Sequence, residues 1–207
     1  MEHKKIIINI GRQYGAGGRY IAKKLAERFN ARYFDREILD LAAQESGFSP
    51  DYFQENDERK SFFRSLFHLH APMVSDSNFY GNKFSDESLF QFQCDAIRKA
   101  AAQDNCIFIG RCADYVLRDE PDAVSVFITA NIDDRIKNVS LREQVDADTA
   151  RKIIQKKENA RASFYNYYTG KKWGAAESYD LIVNVSVLGI DPTTDFIADF
   201  IQRKHLG

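Results

Sequence analysis

Short apolar runs alternating with helical patterns predict an α/β fold, a parallel sheet covered by helices on both faces. Three observations carry that prediction. Five segments have strand length and are rich in β-branched or aromatic residues: Lys4–Ile10, Ala31–Phe34, Cys106–Gly110, Val124–Thr129 and Leu181–Ser186. Between them lie segments whose apolar residues recur at helical spacing, as crossovers between parallel strands require. The first run passes directly into a glycine-rich turn and then an amphipathic helix, which is the opening of a βαβ unit.

Each element has its local reason. The first run, KKIIINI, ends at Gly11. Beyond the glycines, Ile21, Leu25 and Phe29, with Ala22 and Ala26 beside them, make one apolar face on a helix of about three turns. Ala31–Phe34 leads into Asp35, a residue able to cap a helix through 36–43, with Glu37 in its first turn. Ser49-Pro50-Asp51 is another helix start. Asp57–Lys83 shows no period. A helical pattern resumes at Ser85, with Phe90, Cys94, Ile97 and Ala101 on one face. Asn131 with Asp133 and Asp134 starts a further helix, Asp146 another, and Asp191-Pro192 the last, whose face is Ile197, Phe200 and Ile201.

Composition narrows the function classes. With 207 residues, 44% hydrophobic and 29% charged, the chain reads as one domain over 1–207. Lysine and arginine number 29 against 30 acidic residues, a net charge of −1, so no bulk charge points to nucleic acid. Basic residues occur in pairs such as Lys4-Lys5, Lys156-Lys157 and Lys171-Lys172 but do not gather into a longer cluster. No run approaches the ~20 apolar residues of a membrane helix, and the N-terminus lacks the pattern of a signal peptide. Cys94, Cys106 and Cys112 have no metal-ligand spacing and read as reduced thiols of a cytoplasmic protein. His68 and His70 have no visible third ligand.

The chemistry concentrates in Gly11-Arg-Gln-Tyr-Gly-Ala-Gly-Gly-Arg-Tyr20. In a parallel sheet this turn sits at the carboxyl end of a strand, where α/β proteins bind ligands. Its glycines allow tight turning with several N–H groups aimed at one point, and the next helix adds its N-terminal donors. Gly15, Ala16, Gly17, Gly18, Arg19 and Tyr20 are therefore the candidate phosphate and ATP contacts. The other reading is a turn needed only to pack helix on strand. A Walker A loop reads G-x-x-x-x-G-K-[ST]. With Gly17 as its last glycine, Gly18 stands where lysine belongs, and Arg19 and Tyr20 follow in place of Ser or Thr.

Taken with GRQYGAGGR at 11–19, the stretches YFDREIL at 33–39, IGRCADYVL at 109–117, ARASFYNYYTGKKWG at 160–174 and SYDLIVNVS at 178–186 make the chain resemble the cytidylate kinase-like family of P-loop nucleoside-monophosphate kinases. The resemblance spans nearly the whole chain. It implies a three-layer fold with a five-stranded parallel sheet, a helical monophosphate-binding insert at about 36–103 and a lid at about 146–174. It implies transfer of the ATP γ-phosphate to CMP, dCMP or a related small acceptor, with Mg²⁺ accompanying ATP. Residue by residue, it places Asp35 and Arg36 in the acceptor pocket, Arg111 on the acceptor phosphate, and Glu158 and Arg161 in the lid. Arg19, Arg111 and Arg161, from three distant segments, become the candidate catalytic cations. Cytidylate kinases carry an Asp after the Arg at 111; here Cys112 stands there and Asp114 is the nearest carboxylate. The position of a further lid arginine that the resemblance implies falls near Ile154, with Lys156 and Lys157 close by. No metal ligands are assigned.

Simpler roles stand beside each of these. Arg111 can form an ion pair with Asp114 or Asp119, and Asp35 can be a plain helix cap. Lys156, Lys157 and Arg161 can be a solvated helix face, while Glu158 can hold the Arg161 fork from one turn away. The aromatics of 163–174 can stack on a base or pack in the core. Cys112 can be activated by Arg111 or lie inert. Phe62, Phe63, Phe67, Phe79 and Tyr80 can shape a non-nucleotide acceptor pocket or a homodimer contact. At the level of the whole protein, the departures at Gly18, Tyr20, Cys112 and Ile154 set a catalytically weakened nucleotide- or phosphate-binding module against the kinase.

Overall fold

The computed structural model describes residues 5–35 and 86–206. Its elements run β1 (Ile7–Arg12), α1 (Gly18–Arg28), β2 (Arg32–Phe34), α2 (Asp86–Gln103), β3 (Cys106–Ile109), α3 (Ala113–Val116), β4 (Ala123–Thr129), α4 (Ile132–Glu143), α5 (Ala147–Thr169), a 3₁₀ turn at Ala176–Ser178, β5 (Leu181–Asn184), α6 (Val185–Leu188) and α7 (Ile190–Leu206). The helices expected from Asp35 and Ser49, the stretch Asp57–Lys83, His68 and His70 lie outside the described residues.

All five strands are parallel, in the order β2-β3-β1-β4-β5. Side chains alternate between the two faces because the period of a strand is two. Ile7, Phe34, Cys106 and Phe108 meet Phe90, Cys94 and Ile97 of α2 and Tyr165 of α5 on one face. Ile8, Ile10, Ile107, Ile109, Val124, Val126 and Ile128 meet Ile21 and Leu25 of α1 and Ile197 and Ile201 of α7 on the other. Both faces being covered, the strands read as continuous apolar runs, as the sequence predicts for a parallel sheet. A third, smaller core joins α4 to α5 through Ile136, Val139, Ala150 and Ile154, with Tyr14 against it.

Strand limits differ from the sequence expectation, and at the ends of β1 and β5 the reason is visible. β1 does not stop at Gly11; it continues through Arg12, with Gly11 opposite Phe127 and Arg12 opposite Ile128. A Cβ at residue 11 would lie 2.7 Å from the Phe127 ring, so glycine here admits an aromatic neighbour and does not end the strand. β5 ends at Asn184, because the Asn184 carboxamide oxygen accepts from the Ser186 amide at 3.0 Å and turns the chain into α6. The start at Asp146 is as expected: its Oδ1 accepts from the Thr149 amide at 2.7 Å, and α5 ends at Gly170 in the left-handed region. Asn131 precedes α4 without a side-chain cap bond, its amide donating to Ser186 Oγ at 2.9 Å.

This topology positions the site. The chain leaves β1 toward β2 on one side, and from β3 it crosses β1 to reach β4 on the other. The carboxyl end of β1 is thus the reversal point where open α/β sheets form their ligand crevice, flanked by the turns after β3 and β4.

Candidate active site

The loop after β1 is held from both sides. Gln13 donates its amide to Ile128 O at 2.9 Å, and its side-chain oxygen accepts from Thr129 Oγ1 and from the Ala130 amide. Asn138 of α4 donates to Gly15 O at 2.9 Å. Glu158 of α5 accepts from the Tyr14 amide at 3.3 Å and from Arg135 Nη1 of α4. Gly15 and Gly17 have φ of 85° and 79°, and a Cβ on Gly15 would stand 2.8 Å from Arg135 O. Only glycine supplies that conformation without strain. So constrained, the loop leaves the amides of Gly15, Gly17 and Gly18 without a hydrogen bond among the described residues, at the N-terminus of α1. Unspent N–H groups at a helix start fit an anion.

Guanidinium groups gather around this loop. Arg161 comes from α5, its Nη1 donating to Arg12 O at 2.8 Å and its guanidinium lying 5.2 Å over the Tyr14 ring. Arg142 covers the same ring at 4.7 Å. Arg19, at the start of α1, pairs with Asp35 at 3.4 Å, and Asp35 is buried just beyond β2. Arg12, at the end of β1, is absent from the sequence-derived candidates. Burial, chiefly, and then the neighbouring Arg161 and Arg19 push its guanidinium down to about 9, against weaker support from Tyr33 and Asp35. Burial also lowers Arg161, and with Asp35 it pushes Tyr33 up to about 12. The signal for Arg12 was present in the sequence. A Gly-Arg pair ends the first apolar strand just as Gly110-Arg111 follows the third, but ending the strand at Gly11 leaves Arg12 to the loop.

The turn after β3 is strained. Gly110, Arg111 and Cys112 have φ of 69°, 56° and 56°, and two successive non-glycine residues in that region are costly. It carries Arg111 over the Phe164 ring of α5 at 5.0 Å, one helical turn beyond Arg161. The expected ion pairs of Arg111 are not what its neighbours form. Asp119 pairs with Arg118 at 3.6 Å, and Asp114 accepts from Tyr165 OH at 2.7 Å. Asp114 faces a cleft of about 370 Å³, shared with Asn9, Ser125 and Tyr179, and burial raises its carboxyl. The structure thus turns Asp114 away from the arginines gathered at the loop. Cys112 is inert rather than activated, because burial pushes its thiol up to about 12 and Arg111 counters this only weakly.

Glu158 does not hold Arg161 by an ion pair; its partner is Arg135, whose side chain is 9% exposed, so the carboxylate fastens α4, α5 and the Tyr14 amide together. Ile154 is in the α4–α5 core, which leaves the expected extra lid arginine no room to face the site, and Lys156 and Lys157 are solvated. Ala16 is buried, while Tyr20 is 63% exposed on α1. Arg36 lies outside the described residues. Of the aromatics that follow Arg161, Tyr168 stacks on Phe90 at 3.9 Å and Trp173 meets Phe127 edge-on at 5.2 Å, while Tyr167 is exposed.

Among the described residues no group of three His, Cys, Asp or Glu is placed to hold a metal ion. The loop also has arginine and tyrosine where a P-loop has the Ser or Thr that holds Mg²⁺, so these residues do not fit a protein-held Mg²⁺. No described helix is long and apolar enough to cross a membrane.

Sheet order, reversal point and a glycine loop at the start of α1 define an α/β protein of the P-loop kinase fold. A shikimate kinase structure from Bacteroides thetaiotaomicron shares that fold, with a TM-score of 0.54 at 14% identity over 95% of this chain and 98% of the other. The chain belongs to the cytidylate kinase-like family, whose model matches residues 7–187. It is 24% identical to a cytidylate kinase of Methanocaldococcus jannaschii over 96% of this chain and 98% of that protein. It is also 24% identical to a cytidylate kinase of Methanopyrus kandleri, over 91% and 89%. An uncharacterized protein from Eubacterium ventriosum has a crystal structure that superposes with a TM-score of 0.73, at 30% identity over 96% of this chain and 99% of that one.

Proposed function

We propose that the protein is a nucleoside-monophosphate kinase, moving the γ-phosphate of ATP to CMP, dCMP or a related small acceptor. The observation that carries this is the loop itself: three unspent glycine amides beside Arg12, Arg19 and Arg161 at the reversal point of the sheet. The family, and relatives named cytidylate kinases, support the choice of a pyrimidine monophosphate.

In the reaction a phosphate oxygen of the acceptor attacks the γ-phosphorus, the bond to the β,γ-bridging oxygen breaks, and ADP leaves with that electron pair. The protein's task is to position the two phosphates in line and spread cations around the equatorial oxygens. The amides of Gly15, Gly17 and Gly18 hold the donor's phosphate chain. Arg19 and Arg161 neutralise the moving group, and Arg111 orients the acceptor phosphate opposite. Arg161 belongs to the α5 lid, so its closure brings the cation and excludes water in one movement.

A coupled assay of ADP release over the common ribo- and deoxymonophosphates tests this reading. Turnover with CMP or dCMP above the other acceptors is the expected result, and ATP hydrolysis without transfer to any acceptor defeats it. The second reading, a nucleotide-binding module without transfer, is favoured by the absence of Ser or Thr after Gly18 and of a metal-ligand cluster among the described residues. Calorimetry separates them, since that module binds ATP and transfers nothing.

A further inference from the structure

The P-loop of this chain lacks its lysine, and the structure shows what occupies the space. A Cβ on Gly18, the residue in the lysine position, would stand 2.8 Å from Arg12 Cβ and 3.1 Å from its Cγ. A Cβ on Gly110, at the end of β3, would stand 2.4 Å from Arg12 Nη1. The Arg12 side chain therefore starts against the first residue of α1 and runs to the tip of β3. It spans the gap between the loop that follows β1 and the turn that carries Arg111. Glycine at both ends of this path is the condition for an arginine to lie along it.

The charge on Arg12 has no local answer. Among the described residues no carboxylate lies within ion-pair distance of its guanidinium, and no hydrogen bond from that group is formed. Asp35, the carboxylate that acts on it, is paired with Arg19. Arg161 is tethered to the Arg12 carbonyl and adds a second cation beside it. Positive charge gathered at Arg12, Arg161 and Arg19, with Asp35 already taken up by Arg19, is a repulsive cost to the fold. Such a cost is tolerated where a ligand supplies the missing anion.

We propose that Arg12 is a phosphate-binding residue of this site, its guanidinium taking the part of the absent P-loop lysine on the phosphate chain of a nucleoside triphosphate. The inference rests on the nucleotide-binding side of the proposed function. Arginine suits the place because its planar fork engages two phosphate oxygens at once, where lysine offers a point charge. Its depressed ionisation is that of a cation awaiting an anion, and phosphate restores it.

The test is a calorimetric titration with ATP, together with thermal unfolding of the ligand-free protein, on wild type, Arg12→Met, Arg12→Lys and the double variant Arg12→Gly/Gly18→Lys. The expected result is a ten- to hundredfold loss of ATP affinity in Arg12→Met, the size of a lost charge-assisted hydrogen bond. Its unfolding temperature is expected to stay unchanged or rise. Arg12→Lys keeps the charge without the fork and falls between. The double variant returns lysine to its usual position with the obstructing stem removed, and binds ATP more tightly than Arg12→Met. Wild-type affinity in Arg12→Met overturns the proposal. So does a fall in unfolding temperature in both single variants, which marks Arg12 as a structural cation. If the wild type binds ATP but phosphorylates no acceptor, the kinase reading fails while the Arg12→Met affinity still decides this one. If the wild type binds no ATP, both fail.

Discussion

Glu158 is where α5, the loop after β1 and α4 are fastened, and Glu158→Gln isolates that role. Its carboxylate is 20% exposed and its partner Arg135 9%, so this pair is well shielded from solvent. Removing one member of a fully buried pair costs about 3–5 kcal/mol. Glutamine keeps an oxygen to accept from the Tyr14 amide and from Arg135, and what it loses is the charge. The difference between a charge-assisted and a neutral hydrogen bond, with Arg135 left partly uncompensated, comes to about 2 kcal/mol. In a chain of this size that lowers the unfolding temperature by about 4–8 °C. Scanning calorimetry at neutral pH measures it, and an ATP titration of the same variant is expected to show weaker binding, because the loop has lost a tether. The apolar pair Arg135→Met/Glu158→Leu separates the two effects: it regains stability but not ATP affinity. Unfolding of Glu158→Gln within a degree of wild type, with unchanged ATP affinity, would refute the reasoning.

Further outcomes follow from single residues. Gly15→Ala places a methyl 2.8 Å from Arg135 O at a φ of 85°, and is expected to cost about 1–3 kcal/mol and to weaken ATP binding, read by denaturant unfolding and titration. Arg111→Ala is expected to cut turnover by about 100-fold or more. It loses only about 1 kcal/mol of stability with the Phe164 contact, so a folded but inactive protein is the signature. The thiols of Cys94, Cys106 and Cys112, pushed by burial from 9.0 up to about 11, 12 and 12, resist iodoacetamide at pH 8 in the native protein and react once it is denatured. Because unfolded thiols ionise near pH 9 and folded ones higher, their contribution is intact below pH 9 and is lost as pH rises toward 12. Replacing all three with alanine makes that alkaline decline shallower.

The layered architecture was readable because it rests on patterns that repeat. Strands covered on both faces must be apolar throughout, and the faces of α1, α2 and α7 follow the helical period, so Ile21, Leu25, Cys94, Ile97 and Ile197 are core in sequence and structure alike. The glycine-rich turn at the carboxyl end of β1 was readable because glycine density between a strand and a helix marks a tightly turning backbone. What was illegible depends on contacts between distant segments. Nothing local in Glu158 distinguishes Arg161 three residues on from Arg135 on another helix, because the choice is made by how α4 packs on α5. Asp114 and Asp119 sit near Arg111 in sequence, yet the left-handed turn at 110–112 sends Asp114 toward Tyr165. Arg12 was missed because glycine was read as the end of a strand, when at residue 11 it makes room for the ring of Phe127.

The central claim is that main-chain amides of the loop, with Arg12 and Arg19, receive a nucleotide's phosphates. It is tested most directly by an amide spectrum of protein labelled with ¹⁵N-glycine, followed while ATP is added, against adenosine as control. The chain has 11 glycines, few enough to assign. ATP should move the signals of Gly15, Gly17 and Gly18, adenosine should leave them in place, and Gly189, with nothing within 4 Å of its Cβ position, should respond to neither. Loop glycines that stay still with ATP, or shift equally with adenosine, would contradict it.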